Sequence, residues 1–205
     1  MSWTYSENIH RKETVENLAK RFLELLRAIA APDAVSMPQL NWTRPPDAEI
    51  RSALSHIPEA TEYGVEDFYP LSPAQQGILF HALFAPNSGA YCQQFDYRIK
   101  GTLNVPAFKH AWQTVIERHQ TFRTAFVWDG LAEPVQVVFR RADLPIKEFN
   151  LEELEPAAQH DGLNRLLIED RNAGLALSRP PLMRCALIKV ADDEHHFVWT
   201  CHHLL

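Results

Sequence analysis

The 205-residue sequence has no apolar run close to the roughly 20 residues that span a bilayer, no long block of like charge, and only three cysteines and seven glycines. Each shortage excludes something. Without an apolar span, and without an apolar core near the N-terminus of the kind a signal peptide carries, neither membrane insertion nor secretion is expected, and the cytoplasm is the default location. A formal net charge of -6 with no basic stripe makes nucleic acid an unfavoured partner. Cys92, Cys185 and Cys201 are an odd number without C-x-x-C spacing, in a chain too long to need disulfide staples, so they read as free thiols. What is present is 46% hydrophobic and 22% charged residues, enough for one well-filled domain and a smaller appendage.

Prolines outnumber glycines fourteen to seven and are unevenly placed. Pro32, Pro38, Pro45, Pro46 and Pro58 cluster, and residues 32–64 read as a proline-rich linker. Upstream, Val15, Leu18, Ala19, Phe22, Leu25, Leu26 and Ile29 recur at helical spacing and predict an amphipathic helix over 14–31. Only Trp3, Tyr5 and Ile9 precede it to cover its apolar face. Residues 1–31 therefore read as the last element of a domain whose body lies before Met1.

Downstream of the linker, Ser72-Pro73-Ala74-Gln75 is a helix start, with a hydroxyl cap, a proline in the first turn and glutamine at the third position; Ile78, Leu79 and Leu83 form the face to be buried. Phe95, Tyr97 and Ile99 alternate with Asp96 and Arg98 as in a half-buried strand. A second helix opens near Asn104 and Pro106 and buries Phe108, Ala111, Trp112, Val115 and Ile116. Residues 124–128 and 135–139 flank Asp129-Gly130 as a hairpin, 156–171 form a helix around Leu163, Leu166 and Leu167, and 182–190 with 195–201 form a second hairpin. The fold class is α+β, with helices packed on a mostly antiparallel sheet.

The chain closes on an apolar strand running into His202-His203. Adjacent strand residues face opposite ways, so one imidazole faces a cleft and the other packs. An imidazole near its ordinary pKa suits proton transfer or hydrogen bonding at a reacting amine; paired structural histidines are the plain alternative. His195, Cys201 and His203 share strand parity and could offer nitrogen and sulfur to zinc, but nothing is spaced to complete a tetrahedron, and no metal is expected. A Cys201 nucleophile lacks an orienting group and an oxyanion hole. His195-His196, after three acidic residues at a turn, are expected to be solvated. Arg118 and His119 close a helix, where cations suit the dipole, and Arg123 begins a strand; an ordinary helix exit with a structural salt bridge accounts for the three.

Three segments in order resemble the core motifs of nonribosomal peptide synthetase condensation domains. Tyr69-Pro70-Leu71-Ser72-Pro73-Ala74-Gln75-Gln76-Gly77-Ile78-Leu79-Phe80-His81 is similar to the opening motif, Arg118-His119 through Arg123-Thr124-Ala125-Phe126 to the second, and Cys201-His202-His203-Leu204-Leu205 to the start of H-H-x-x-x-D-G. Leu177 to Arg184 resembles the stretch before the last hairpin. The resemblance implies that residues 65–205 are the N-terminal lobe of a chloramphenicol-acetyltransferase-like fold, incomplete inside its catalytic motif. It implies that His203 acts on the acceptor amine as it attacks a thioester, that His202 is structural, and that Arg123 bridges an aspartate at position 207. It also implies that no cofactor sits in this chain. The substrates would arrive on the phosphopantetheine of carrier proteins, with an adenylation domain downstream and an epimerization domain the source of residues 1–31, the donor then ending in a D residue. Alone, the chain is expected to be inactive. Two alternatives stand: a truncated remnant or carrier-protein docking module without chemistry, and a related acyltransferase with a free acceptor.

Overall fold

The computed structural model describes Thr4 and residues 12–30, 47–85 and 89–205. The chain divides into two units, residues 1–44 and 45–205. In the first, α1 (Lys12–Ala30) carries the expected helix, with Leu18, Leu23 and Leu26 exposed. Trp3, Tyr5 and Ile9 lie outside the described residues.

The second unit opens where the linker was expected to continue, and there the structure differs. Asp47–Leu54 (α2) and Pro58–Glu62 (α3) are helical, and Ile50 and Leu54 are buried in the core. Burial of these two large aliphatic side chains contributes roughly 4 kcal/mol. That is enough to hold an eight-residue helix that would be marginal alone. The linker reading does not hold over Asp47–Leu54 and Pro58–Glu62, where Ile50 and Leu54 find a core and Pro58 takes the first position of α3; residues 32–46 lie outside the described residues.

Val65–Pro70 (β1) pairs antiparallel with Val135–Phe139 (β4), which pairs with Thr124–Val127 (β3), giving a three-stranded sheet of order β1-β4-β3. Between them Pro73–Phe84 (α4) starts as its sequence dictates. The Ser72 hydroxyl accepts from the Gln75 N–H at 3.2 Å, and the Gln75 side chain accepts from the Ser72 N–H at 3.0 Å. Leu79 is buried and Ile78 packs on the core, but Leu83 is exposed, so α4 buries a narrower stripe than expected and also leaves Phe80 and Phe84 in the open.

Cys92–Lys100 (β2), Ile146–Asn150 (β5), Met183–Ala191 (β6) and Glu194–His202 (β7) form a second sheet of order β2-β7-β6-β5. All pairs are antiparallel except β5 with β6. Val105–Arg118 (α5), capped by Asn104, covers one face through Phe108, Trp112 and Ile116. Pro156–Asn172 (α6) covers the other through Leu163, Leu166 and Leu167, against Ala186, Ile188 and Val198. Being covered on both faces, β6 is apolar at nearly every position instead of alternating. β2 is an edge strand, and Phe95 and Tyr97 remain more exposed than a half-buried strand implies.

Two further expectations change. Arg123 does not begin a strand: Gln120–Arg123 is a 3-10 turn, β3 starts at Thr124, and Arg123 is 6% exposed. His195 is not solvated. The turn that was expected to expose it is confined to residues before Glu194, so His195 lies inside β7 and is buried, while His196 binds the Asp96 carboxylate on β2 at 2.9 Å.

Candidate functional site

β7 delivers the two histidines to different environments. The His202 N–H donates to the Leu182 carbonyl at 3.0 Å, and the His203 N–H donates the opposite way, to the Tyr91 carbonyl at 2.7 Å. His202 is 6% exposed and His203 is exposed. The Leu204 N–H donates to Nδ1 of His202 at 3.2 Å. An imidazole nitrogen accepts only when unprotonated, so His202 is neutral with its proton on Nε2. Burial, and secondarily the neighbouring His203, pushes its pKa down from 6.5 to about 4. One histidine is thus fixed and uncharged, and the other is exposed.

Two side chains that the motif spacing did not single out, Tyr91 and Gln136, lie at this end of β7. Tyr91 lies just before β2 with a φ of 66°, and its ring is near those of His81 and His202, at centroid distances of 6.3 and 6.4 Å. Gln136 donates to the Pro70 carbonyl at 3.2 Å and accepts from Gln75 Nε2 at 3.3 Å, while the same Nε2 reaches the Leu204 carbonyl at 3.4 Å. Ser72 and Gln75 therefore do more than start a helix: through Gln75 the helix start is tied to the residue after His203. Beside this lies a cavity of about 200 Å³, lined by Tyr69, Gln75, Thr124, Gln136, Leu204 and Leu205 among others.

Arg123 is held below this group. It donates to the Glu66 carboxylate at 2.7 Å and to the Phe139 carbonyl, while its buried Nε has no partner among the described residues. Glu66 also accepts from Gln120 at 2.6 Å. The bonds from Arg123 first and Gln120 second hold the Glu66 carboxyl below the usual range. Among the described residues the partner of Arg123 is thus Glu66, on a strand that had no counterpart in the sequence pattern. Arg118 and His119 are not brought into the group. Both are exposed at the end of α5, and His119 meets Phe122 edge to face.

The rival chemistries lose their geometry. His195 pairs with Lys189 at one end of β7 and Cys201 with Met183 at the other, so the six-residue separation is about 20 Å and one metal ion cannot bind both. All three cysteines are free. Burial raises the pKa of Cys201 and pushes Cys185 up to about 12, the reverse of what a nucleophilic thiol needs. Among the described residues no helix is long and apolar enough to cross a membrane.

A second, partly buried constellation supports β7. Asp170 on α6 accepts from Arg184 Nε at 2.5 Å, from Gln94 Nε2 at 2.8 Å and from the Thr200 hydroxyl. Burial alone would raise its pKa, but bonds from Arg184, Thr200 and Gln94 together hold it below the usual value. Asp170 joins α6 to β2, β6 and β7 two residues before His202.

Comparison with known proteins converges on one family. The family model described as Condensation domain matches residues 65–205. A linear gramicidin synthase from Brevibacillus parabrevis is 36% identical over 210 residues, an alignment covering 100% of this chain and 3% of that protein. Surfactin synthase subunit 3 of Bacillus subtilis (strain 168) is 34% identical over 141 residues, 69% of this chain and 11% of that protein. Among solved structures, the starter condensation domain of rhizomide synthetase superposes with a TM-score of 0.59 at 25% identity, covering 68% of this chain and 34% of that one. The first condensation domain of the calcium-dependent antibiotic synthetase gives 0.56 at 20%, covering 67% and 33%. The chain therefore spans a small part of these synthetases and about a third of a solved condensation domain.

Proposed function

Since this chain belongs to the condensation domain family of nonribosomal peptide synthetases, we propose that residues 65–205 are the N-terminal lobe of a domain that joins an acceptor amine to a thioester-borne acyl or peptidyl group. The amine nitrogen attacks the thioester carbonyl, the new C–N bond forms, the C–S bond breaks, and the thiol leaves on the donor's arm while the nitrogen sheds a proton. Both substrates ride on phosphopantetheine arms of carrier proteins, which are partners rather than parts of this chain. His203 is the residue placed to hydrogen-bond the amine, orient it and take up charge as the tetrahedral intermediate forms.

The observation that carries this reading is the division of labour between the two histidines. His202 is buried, neutral and engaged by the Leu204 N–H; His203 is exposed beside it with its backbone anchored. Strand parity turns adjacent residues to opposite faces, and the exposed member here is His203, the one to which the motif assigns the amine.

Residues 1–31 are read as the end of a preceding epimerization or condensation domain, with an adenylation domain following downstream. The gramicidin synthase alignment, which covers residues before 65 as well as after, supports a synthetase context for the early segment. So do the exposed Leu18, Leu23 and Leu26 of α1.

The test is to join residues 45–205 to the C-terminal lobe of a condensation domain and supply two loaded carrier proteins. Product should form only with both lobes present, and His203→Ala should lower the rate by about 100-fold or more. Undiminished product with His203→Ala would defeat the assignment.

A further inference from the structure

We propose that the cavity between α6 and the second sheet, at its β5–β6 side, is a binding site for a small uncharged ligand of about one aromatic ring. This inference does not rest on the assignment of His203. The cavity measures about 180 Å³, and most of its lining is apolar: Leu166 and Leu167 from α6, with Phe149, Ala186, Ile188 and Val198 from the sheet. Its origin lies in the strand register. Lys147, Ala186 and Val198 stand side by side across β5, β6 and β7. In the middle of that row is only a methyl group, and Lys147 is exposed, with its charge kept in water. The row on one side, Phe149 beside Ile188, is bulky and packs with the α6 leucines. The row on the other side, Arg184 beside Thr200, is bonded to Asp170 on the helix. α6 therefore spans a small row between two larger ones that support it.

The lining also selects the ligand. Asp170 and Arg184 border the cavity, but they bind each other, and the carboxylate is further engaged by Gln94 and Thr200. The buried side-chain nitrogen and oxygen atoms left without a partner among the described residues all belong to residues outside this lining. Lys147 and Glu169, the other charges of the lining, are exposed and already solvated. A charged ligand would give up its hydration without gaining a free partner inside. Apolar contact is what the cavity offers, and an apolar cavity of about 150 Å³ already admits benzene.

The probes are benzene and benzoate, titrated into the full chain and followed by NMR of the side-chain methyl groups. Benzene should give saturable shifts at Leu166, Leu167, Ile188 and Val198, while the methyls of Val137, in the other sheet, stay in place. Benzoate should bind more weakly by about tenfold or more, since its carboxylate must be desolvated. Ala186→Leu puts an isobutyl group where the row has a methyl, and should weaken benzene by about tenfold or more. The Val137 methyls then report that the fold is kept. Lys147→Ala, at an exposed position, should leave the benzene affinity within about twofold. Absence of saturable shifts up to the solubility limit of benzene would overturn the proposal, as would shifts centred elsewhere or equal binding of benzoate. Benzene bound undiminished by a folded Ala186→Leu chain would place it outside this cavity, with the same consequence. If Ala186→Leu does not fold, the shift map of the parent and the benzoate comparison decide by themselves.

Discussion

Gln75 donates through its side-chain amide to the main-chain carbonyl of Leu204, 129 residues later in the chain. The glutamine that closes the capping box of α4 is thereby also a brace for the segment that follows His203, and it shares that load with Gln136. A local signal and a long-range contact are carried by one side chain, so the opening motif and the histidine motif are mechanically one object.

Arg123 is the first place where this connectedness should show as stability. Its guanidinium is buried and bonded to Glu66 and to the Phe139 carbonyl. Arg123→Ala leaves the carbonyl without its donor and the carboxylate without its cation. A loss of about 3 kcal/mol is expected, read from the urea midpoint at constant m-value. Arg123→Lys should recover less than half, because an ammonium cannot reproduce the planar fork. Full recovery by lysine would mean that charge alone matters there.

His202 should make the fold sensitive to mild acid. Its folded pKa of about 4 lies below its ordinary 6.5, so the unfolded chain takes up a proton that the folded chain refuses. The stabilisation is complete above pH 6.5, declines as the pH falls, and is fully lost below about 4, a total of about 3 kcal/mol. His202→Asn has an amide oxygen to accept from the Leu204 N–H but no proton to gain. The difference in unfolding free energy between parent and variant, measured across this window, should therefore change by that amount. A pH-independent difference would show that His202 titrates alike in both states.

Asp170 should matter for strand β7 although it lies on α6. Asp170→Asn keeps the shape but leaves the Arg184 cation without its carboxylate, for an expected loss of about 3 kcal/mol. Because Thr200 and Gln94 bind the same carboxyl, a double substitution with Thr200→Val should cost less than the sum of the singles. Strict additivity in a denaturation cycle would show that the three contacts are independent.

Much of this fold is legible in the residues themselves, and the exceptions have physical reasons. Ser72 with Gln75, and Asn104 with Pro106, mark helix starts because capping is local chemistry. The β6–β7 hairpin is legible because its acidic turn interrupts two apolar runs. Ile146–Asn150 escapes because β5 is short and its partner, β6, lies far along the chain. Val65–Pro70 escapes because Glu66 and Asp67 break the alternation, and both charges are used in the structure: Glu66 meets Arg123, and Asp67 bonds the Tyr69 hydroxyl. The helices at 47–62 are hidden by proline, which marks their flanks as readily as it marks a linker. At the site, the contrast between His202 and His203 follows from strand parity, but Tyr91 does not, since no sequence pattern announces a tyrosine in a glycine conformation.

The nine-pair ladder between β2 and β7 has one more implication, for changes in chain length. Strand parity decides which histidine turns inward, so a single codon gained or lost between Phe197 and Cys201 would turn His202 to the exposed side and send His203 into the apolar interior. The same change in the turn at Asp192 and Asp193 would be absorbed by a wider loop. Length variation in such domains should therefore be tolerated at the hairpin tip and purged from the strand, independently of how well any individual side chain there can be substituted.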